Sequence, residues 1–141
     1  MAAADLNSIR STIEGRLATE LAGSPVLPVV FNNMPYEPPP NSSWVQCLTA
    51  FGANEYLSLG GTTDSDNRIT GLILFNIFTP KGVGPGANYV IGKRVRDLYN
   101  RVNVSGVYFD APVGPEALAS PAPEGYFSTQ VRVTFEFIEE L

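Results

Sequence analysis

Few residues in this sequence have side chains that could carry out chemistry, and their types exclude most kinds of active site. The 141 residues include no histidine, the commonest general base and a frequent metal ligand. They include one cysteine, Cys47, which cannot build a zinc site of the usual kind. Cys47 lies in a predicted strand, where an inert buried thiol is the ordinary case. We therefore expect a protein that is not an enzyme and that uses no cofactor and no metal.

One glycine-rich segment has the general form of a phosphate-binding loop. Residues 82–86, Gly-Val-Gly-Pro-Gly, lie between a predicted strand and a predicted helix. A P-loop ends in Gly-Lys-Ser/Thr, whereas residues 87–89 are Ala-Asn-Tyr here. The spacing also differs from the G-x-G-x-x-G of a dinucleotide site. We interpret the segment as a flexible connection between strand and helix.

Charged residues form three weaker candidates. Residues 64–67, Asp-Ser-Asp-Asn, resemble a calcium loop but lack its glycine and distal glutamate, so a solvated turn is expected. Three glutamates near the C-terminus, Glu136, Glu139 and Glu140, are separated from any acid that would complete a catalytic pair. They either keep the last strand soluble or line an acidic surface. The cations Lys93 and Arg96 form a solvated helix face or, alternatively, an intersubunit salt bridge.

The composition is that of one folded domain covering residues 1–141. It is 44% hydrophobic and 16% charged, with a formal net charge of -5, which argues against general nucleic-acid binding. The sequence contains no run of 18 apolar residues, so we predict no membrane-spanning helix. The first residues lack the pattern of a signal peptide, and a single cysteine fits a reducing compartment.

The most apolar stretch of the chain organises the predicted fold. Residues 69–78 have the composition of a strand. Both faces of that strand are largely apolar, so we expect both to be covered. Pro80 ends the strand because proline cannot donate to the sheet ladder. After the glycine loop the apolar period changes from two to about 3.6, as expected for a helix.

The other elements follow from the same periodicities. Helices are predicted over 5–22 and 87–102, the first with an apolar stripe and Asp5 as N-cap. A long proline-containing loop is predicted over 111–125. Strands are predicted over 27–31, 44–51, 56–59, 104–110 and 127–137. The fold class is therefore α+β, a mostly antiparallel or mixed β-sheet covered on one face by two α-helices.

Apolar and aromatic residues remain outside these elements in unusual number. Tyr36 and Trp44 flank a triple proline, and Leu118 lies among prolines in the long loop. Self-association is the simplest way for a small domain to bury such surface. The residues therefore indicate an oligomeric, non-enzymatic structural protein.

Several short motifs, taken in their order and spacing, resemble those of a known protein family. Residues 33–39 read Asn-Met-Pro-Tyr-Glu-Pro-Pro and are followed by Trp44. Leu59-Gly60 precedes 68–72, Arg-Ile-Thr-Gly-Leu, which leads through 78–84, Phe-Thr-Pro-Lys-Gly-Val-Gly, into a helix. Gly125-Tyr126-Phe127 opens the last strand. In these features the chain resembles the tail-terminator-like family of tailed bacteriophages, which is related in fold to the lambdoid minor tail protein that caps the tail tube.

The resemblance implies a virion protein that forms a ring, usually a hexamer, at the head-proximal end of the tail. Such a ring is assembled in the host cytoplasm, stops polymerisation of the tail tube protein and offers a surface to the neck or head-completion connector protein. In a contractile tail it also touches the sheath protein. DNA is only passing cargo, and the net negative charge suits a channel through which DNA slides. No membrane is involved.

We predict that the subunit interface includes a proline and aromatic segment and the loop after the central strand: Tyr36, Pro38, Pro39, Trp44, Pro80, Lys81, Gly82, Val83 and Gly84. Glu136, Glu139 and Glu140 are predicted to face the channel. Two alternatives stay open: another head-tail connector or neck protein, and a non-enzymatic peptide-binding module that uses the proline and aromatic segment.

Overall fold

The computed structural model describes residues 6–23, 26–32, 42–56, 66–82, 85–117 and 125–140. Within these ranges the chain forms two helices and seven strands. In chain order they are α1 (Leu6–Leu21), β1 (Val29–Val30), β2 (Trp44–Tyr56), β3 (Asp66–Pro80), α2 (Gly86–Tyr99), β4 (Asn103–Val104), β5 (Val107–Phe109), β6 (Val113–Ala117) and β7 (Tyr126–Glu140).

The strands form one sheet in the order β1-β2-β3-β7-β5-β4, and β6 pairs with β7. Only the short pair β1-β2 is parallel. The 15-residue strands β3 and β7 pair along their whole length, from Asp66 opposite Glu140 to Pro80 opposite Tyr126. The two helices pack on one face of this sheet, which confirms the predicted α+β class.

The core lies between the helices and the sheet face that they cover. It contains one apolar set from both helices and from alternate residues of the long strands: Ile13, Leu17, Leu21, Val45, Cys47, Ile73, Phe75, Ile77, Val95, Tyr99, Val131, Val133 and Phe135. The Tyr99 ring stacks on Phe75 with centroids 5.1 Å apart, and its hydroxyl donates to the carbonyl of Ile13 at 2.6 Å. Tyr99 therefore joins both helices to the central strand.

Arginine side chains fasten the two helices to each other. Arg16 of α1 donates to the carbonyl of Leu98 at 2.8 and 3.0 Å, where the end of α2 leaves carbonyls without helical partners. In return, Arg94 of α2 forms an ion pair with Glu20 at 3.0 Å. Arg94 lies on the same helix as the predicted surface cations Lys93 and Arg96, but it contributes to packing within this chain.

Three predictions about single elements are wrong. A fourth, that both faces of β3 are covered, holds for one face within the described residues: the strand alternates between a buried and a half-buried face, because both helices lie on the same side of the sheet. Residues 104–110 are two strands rather than one, since Ser105 and Gly106 adopt φ angles of 51° and 86° and form a turn.

The second helix and the long loop also differ from their predictions. Helix α2 ends at Tyr99 rather than 102, because Asn100 is extended and Arg101 has a φ angle of 56°. The predicted loop 111–125 contains strand β6, which lies at the edge of the sheet where a proline is tolerated. The predicted strand 56–59 and the N-cap Asp5 lie outside the described residues, apart from Tyr56, which ends β2.

Candidate interaction surfaces

Three segments that are far apart in the sequence meet at one corner of the sheet. Pro80 pairs with Tyr126, and the N–H of Lys81 donates to the carbonyl of Gly125 at 2.9 Å. Trp44 stacks on Phe78 with centroids 4.3 Å apart and meets Tyr126 edge-on at 6.2 Å. Together with Val30, these three rings form a small cluster separate from the main core.

An apolar groove of about 560 Å³ opens beside this corner, on the helix side of the sheet. It is lined by residues of the β3–α2 connection, the first turn of α2 and the three strands β3, β6 and β7: Pro80, Lys81, Gly82, Pro85, Tyr89, Ala117 and Phe127. Tyr89 is 42% exposed and the adjacent Val90 is 71% exposed. Large exposed side chains beside a groove are typical of a surface that binds another protein.

Asn88 fixes the start of α2 against the sheet. Its amide nitrogen lies 3.0 Å from the Ile77 carbonyl, 3.2 Å from the Thr79 hydroxyl and 3.3 Å from the Phe127 carbonyl. The Thr129 hydroxyl donates to its amide oxygen. Because Asn88 is fully buried, these hydrogen bonds replace water that it lost on folding.

Sequence reasoning missed Asn88, although one signal was present. An asparagine in the first turn of a predicted helix is a weak helix former and favours caps and turns. An asparagine at this position lowers the helix propensity of the segment, and hydrogen bonds made in the core would compensate for that loss. The buried role itself depends on Thr129, 41 residues later, and no periodicity encodes that distance.

Gly92 brings α2 close to the edge strand β6. A Cβ atom at this position would lie 2.8 Å from Cγ and 2.9 Å from Cβ of Pro115. Only glycine leaves room for that contact. The close approach of α2 to β6 places Ala117 on the wall of the groove.

The opposite face of the sheet carries no packed layer from the described residues. We call this surface the open sheet face. The buried rings of Trp44, Phe78 and Tyr126 lie at one end of this face. The rest consists of alternate residues of the three long strands that are half-buried or exposed: Gln46, Leu48, Leu72, Leu74, Asn76, Gln130, Arg132, Thr134 and Glu136. Antiparallel sheets tolerate such a face in water, but the leucines in its middle also suit contact with another protein.

Amide side chains form a ladder across the open sheet face. Asn76 donates to Gln46 at 3.0 Å, and Gln130 donates to Asn76 at 3.0 Å. The three residues are opposite one another in the register of β2, β3 and β7. The ladder fixes the register of the three strands and separates the aromatic corner from the leucines.

A shallow hollow of about 450 Å³ lies further along the open sheet face. Small residues form its floor, since Ala50, Gly52 and Gly71 have little or no side chain there. Two carboxylates, Asp110 and Glu136, line it. The Asp110 carboxylate accepts a hydrogen bond from Thr134 at 2.6 Å, and the Glu136 carboxylate lies 4.0 Å from the guanidinium of Arg68.

The structure brings together the described part of the predicted interface. Trp44, Pro80, Lys81 and Gly82 lie at the same corner, and the last three line the groove. Trp44 itself is only 6% exposed, so it already packs within its own chain. Tyr36, Pro38, Pro39, Val83 and Gly84 lie outside the described residues.

The predicted channel residues do not share one surface. Glu136 lies on the open sheet face with its side chain 44% exposed. Glu139 lies on the opposite face of β7, is 9% exposed and accepts a long hydrogen bond from Asn67 at 3.4 Å. Glu140 ends β7, and its side chain lies outside the described residues. Because side chains alternate along a strand, Glu136 and Glu139 cannot face one channel together.

The reactive group of Cys47 lies in the core and packs against apolar side chains. Cys47 is fully buried, and burial, with a smaller effect of the Glu14 carboxylate, raises the pKa of its thiol to about 12. A thiol with such a pKa is a poor nucleophile at neutral pH. Among the described residues, no three His, Cys, Asp or Glu side chains are close enough to hold a metal ion. Neither described helix is long and apolar enough to cross a membrane.

The fold is shared with proteins of known structure. No family model and no curated protein sequence matches this chain. Among solved structures 11 chains match, and one of them has a TM-score of 0.68 and 17% identity over 94% of this chain and 95% of that chain. The name of that protein states no function. At such low identity the likeness shows a common fold alone.

Proposed function

We propose that this protein is a structural virion protein that forms a ring at the head-proximal end of a phage tail. The ring caps the tail tube, ends polymerisation of the tube protein and joins the tail to the neck or head-completion protein. Its partners are further copies of itself, the tube protein, the connector protein and, in a contractile tail, the sheath protein. DNA passes through the ring as cargo.

The observation that carries this proposal is the meeting of three motif segments at one corner. The resemblance to tail terminators rests in part on Trp44, on residues 78–84 and on Gly125-Tyr126-Phe127. The described parts of these segments contact one another through the Trp44 cluster and through the hydrogen bond from Lys81 to Gly125. The aromatic rings of this cluster pack on the open sheet face, and Pro80, Lys81 and Gly82 lead from this corner to the apolar groove on the helix side. The motif segments thus meet at a corner that borders both candidate surfaces, which supports a role in assembly.

The distribution of surfaces also supports assembly into a ring. The groove and the exposed side chains of α2 lie on the helix side, while the open sheet face lies on the other side. Two unlike surfaces on opposite sides of a subunit favour head-to-tail contacts, which close into a ring when the rotation between subunits permits it.

The groove also favours a second candidate, a non-enzymatic peptide-binding module. Proline-rich peptides bind in grooves lined by aromatic side chains, and this groove contains Tyr89, Phe127 and two prolines. Such a module functions as a monomer, whereas a tail terminator functions as a ring. The other connector or neck proteins of a phage share the ring architecture and differ in the partner that they contact.

The experiment that separates these candidates is the mass of the purified protein in solution. Native mass spectrometry and light scattering would be recorded over a range of protein and salt concentrations. The proposal predicts a closed species of about six copies at high concentration, because cyclic symmetry ends growth at one size. A monomer that binds proline-rich peptides at the groove, and that adds no ring to tail tubes, would favour the peptide-binding module.

A further inference from the structure

The outward side of α2 carries two exposed apolar residues and two cations. We call Tyr89, Val90, Lys93 and Arg96 the helix-side patch. Their spacing places them on neighbouring turns of one side of α2. Lys93 forms an ion pair with Asp97, but no described acid lies within ion-pair distance of Arg96. The patch therefore combines apolar surface with an exposed positive charge that the described chain does not neutralise.

The open sheet face carries the complementary features. Its hollow is lined by the carboxylates of Asp110 and Glu136, and within the described ranges no cation lies within ion-pair distance of Asp110. Leu72 also lines the hollow, and Leu74 lies further along the same face of β3. An apolar surface with an acidic hollow thus lies on one side of the domain, and an apolar surface with a cation lies on the other.

We propose that the helix-side patch of one copy docks on the open sheet face of the next copy, with Arg96 directed into the hollow between Asp110 and Glu136. This inference rests on the proposed ring and names its subunit contact. Tyr89 and Val90 then pack near Leu72 and Leu74. The α2 helix of each copy supplies the second layer that the sheet of its neighbour lacks, as in a three-layer domain.

The arrangement makes the contact heterologous, since two different surfaces meet. A heterologous contact repeats from subunit to subunit and closes into a ring when the rotation between subunits permits it, whereas an isologous contact stops at a dimer. The contact also gives Glu136 a place in the subunit interface instead of in the channel. Charge complementarity of this kind fixes the register of the two surfaces and disfavours wrong pairings.

Disulfide trapping tests which surfaces meet. Arg96→Cys and Asp110→Cys would be prepared as separate proteins, mixed under assembly conditions and oxidised, with tail tubes present if the free protein is monomeric. The thiol of Cys47 does not compete, because it is fully buried within its own chain. We expect a covalent dimer from the mixture, none from either protein alone, and a ladder of higher species from Arg96→Cys/Asp110→Cys.

The control is Arg101→Cys mixed with Asp110→Cys. Arg101 is an exposed cation that lies beyond the end of α2 and outside the helix-side patch. Equal trapping at Arg101, or no trapping at Arg96 in rings that form normally, would overturn the proposed contact. Rings that trap as expected but do not cap tubes would preserve the contact and remove the tail-terminator function instead.

Charge exchange provides an independent measurement. We expect Arg96→Asp to raise the concentration of half-assembly about tenfold, as for other interfacial charge pairs. The exchange Arg96→Asp/Asp110→Arg is expected to restore much of that loss. An Arg96→Asp variant that assembles like the unmodified protein would contradict the contact, as would an Arg96→Asp/Asp110→Arg variant that assembles no better than Arg96→Asp alone.

Discussion

The side-chain amide of Asn88 donates to the backbone carbonyl of Ile77 at 3.0 Å, inside the core and 11 residues away in the chain. This hydrogen bond joins the first turn of α2 to the C-terminal end of β3. The intervening connection contributes Pro80, Lys81, Gly82 and Pro85 to the groove. The shape of the groove therefore depends on a buried polar residue that does not line it.

Replacing Asn88 should cost more stability than an ordinary surface change. Asn88→Ala leaves the buried hydroxyls of Thr79 and Thr129 without this partner, and we expect unfolding to become easier by about 1–3 kcal/mol. Urea denaturation followed by circular dichroism measures the change. Asn103→Ala, at an exposed position of β4, is the matched control and should change stability by less than about 0.5 kcal/mol. Equal effects of the two variants would show that the Asn88 hydrogen bonds are unimportant.

Two helix glycines should respond oppositely to the same substitution. A Cβ at Gly92 meets Pro115 at 2.8 Å, whereas nothing lies within 4 Å of a Cβ at Gly15. Gly92→Ala is expected to destabilise the protein by about 1–3 kcal/mol, because α2 must move away from β6. Gly15→Ala is expected to stabilise it by up to about 1 kcal/mol through helix propensity.

Thermal unfolding of both glycine variants provides the check. If Gly92→Ala were as stable as Gly15→Ala, α2 and β6 would not be in close contact. Because Ala117 of β6 lines the groove, a shift of α2 should also alter any binding there.

The long strands could be predicted from sequence, and the reasons are local. Alternation along Phe127–Phe137 reflects one buried and one open face, so β7 was recognisable and only its ends are longer. Strand β6 was not recognisable, since Pro115 argues against a strand until its edge position is known. The two apolar faces of β3 predicted that both faces are covered. The described residues cover one of them, because composition does not distinguish a core from an interface.

The candidate surfaces were only partly predictable for the same reason. Pro80, Lys81 and Gly82 lie next to each other in the sequence and were predicted together. Asn88 and Thr129 meet only through the pairing of β3 with β7. Asp110 and Glu136 come from different strands and form one hollow only after the sheet has formed.

The thiol of Cys47 should make stability depend on alkaline pH. Burial raises its pKa from 9.0 to about 12. Between these values the unfolded state loses the proton while the folded state keeps it, so stability falls as pH rises above 9. The denaturation midpoint measured from pH 8 to pH 11 should decrease. Cys47→Ala should show a smaller decrease, and an identical pH slope in both proteins would contradict the assignment. In the folded protein at pH 8, a thiol reagent should react with Cys47 only slowly.

Replacing Trp44 should lower the stability of the subunit more than it weakens assembly. The sequence alone predicts that Trp44→Ala weakens assembly more than it unfolds the monomer, with a plain core residue as the alternative. Its 6% exposure and its stacking on Phe78 favour the alternative, and we expect a loss of about 3–5 kcal/mol in the free energy of unfolding. Chemical denaturation and assembly would be measured on the same variant. A Trp44→Ala variant that folds as a stable monomer but no longer assembles would show that Trp44 belongs to the subunit interface.

The central claim, that this protein caps tail tubes as a ring, is tested most directly by electron microscopy of tubes polymerised with and without it. Tube lengths would be measured, and labelled protein would be located along the tubes. The account predicts a ring of about six copies at one end of each tube. It predicts no growth from that end, because the ring face turned away from the tube does not accept another ring of tube protein. Tubes of unchanged length, with the labelled protein absent from their ends, would contradict it.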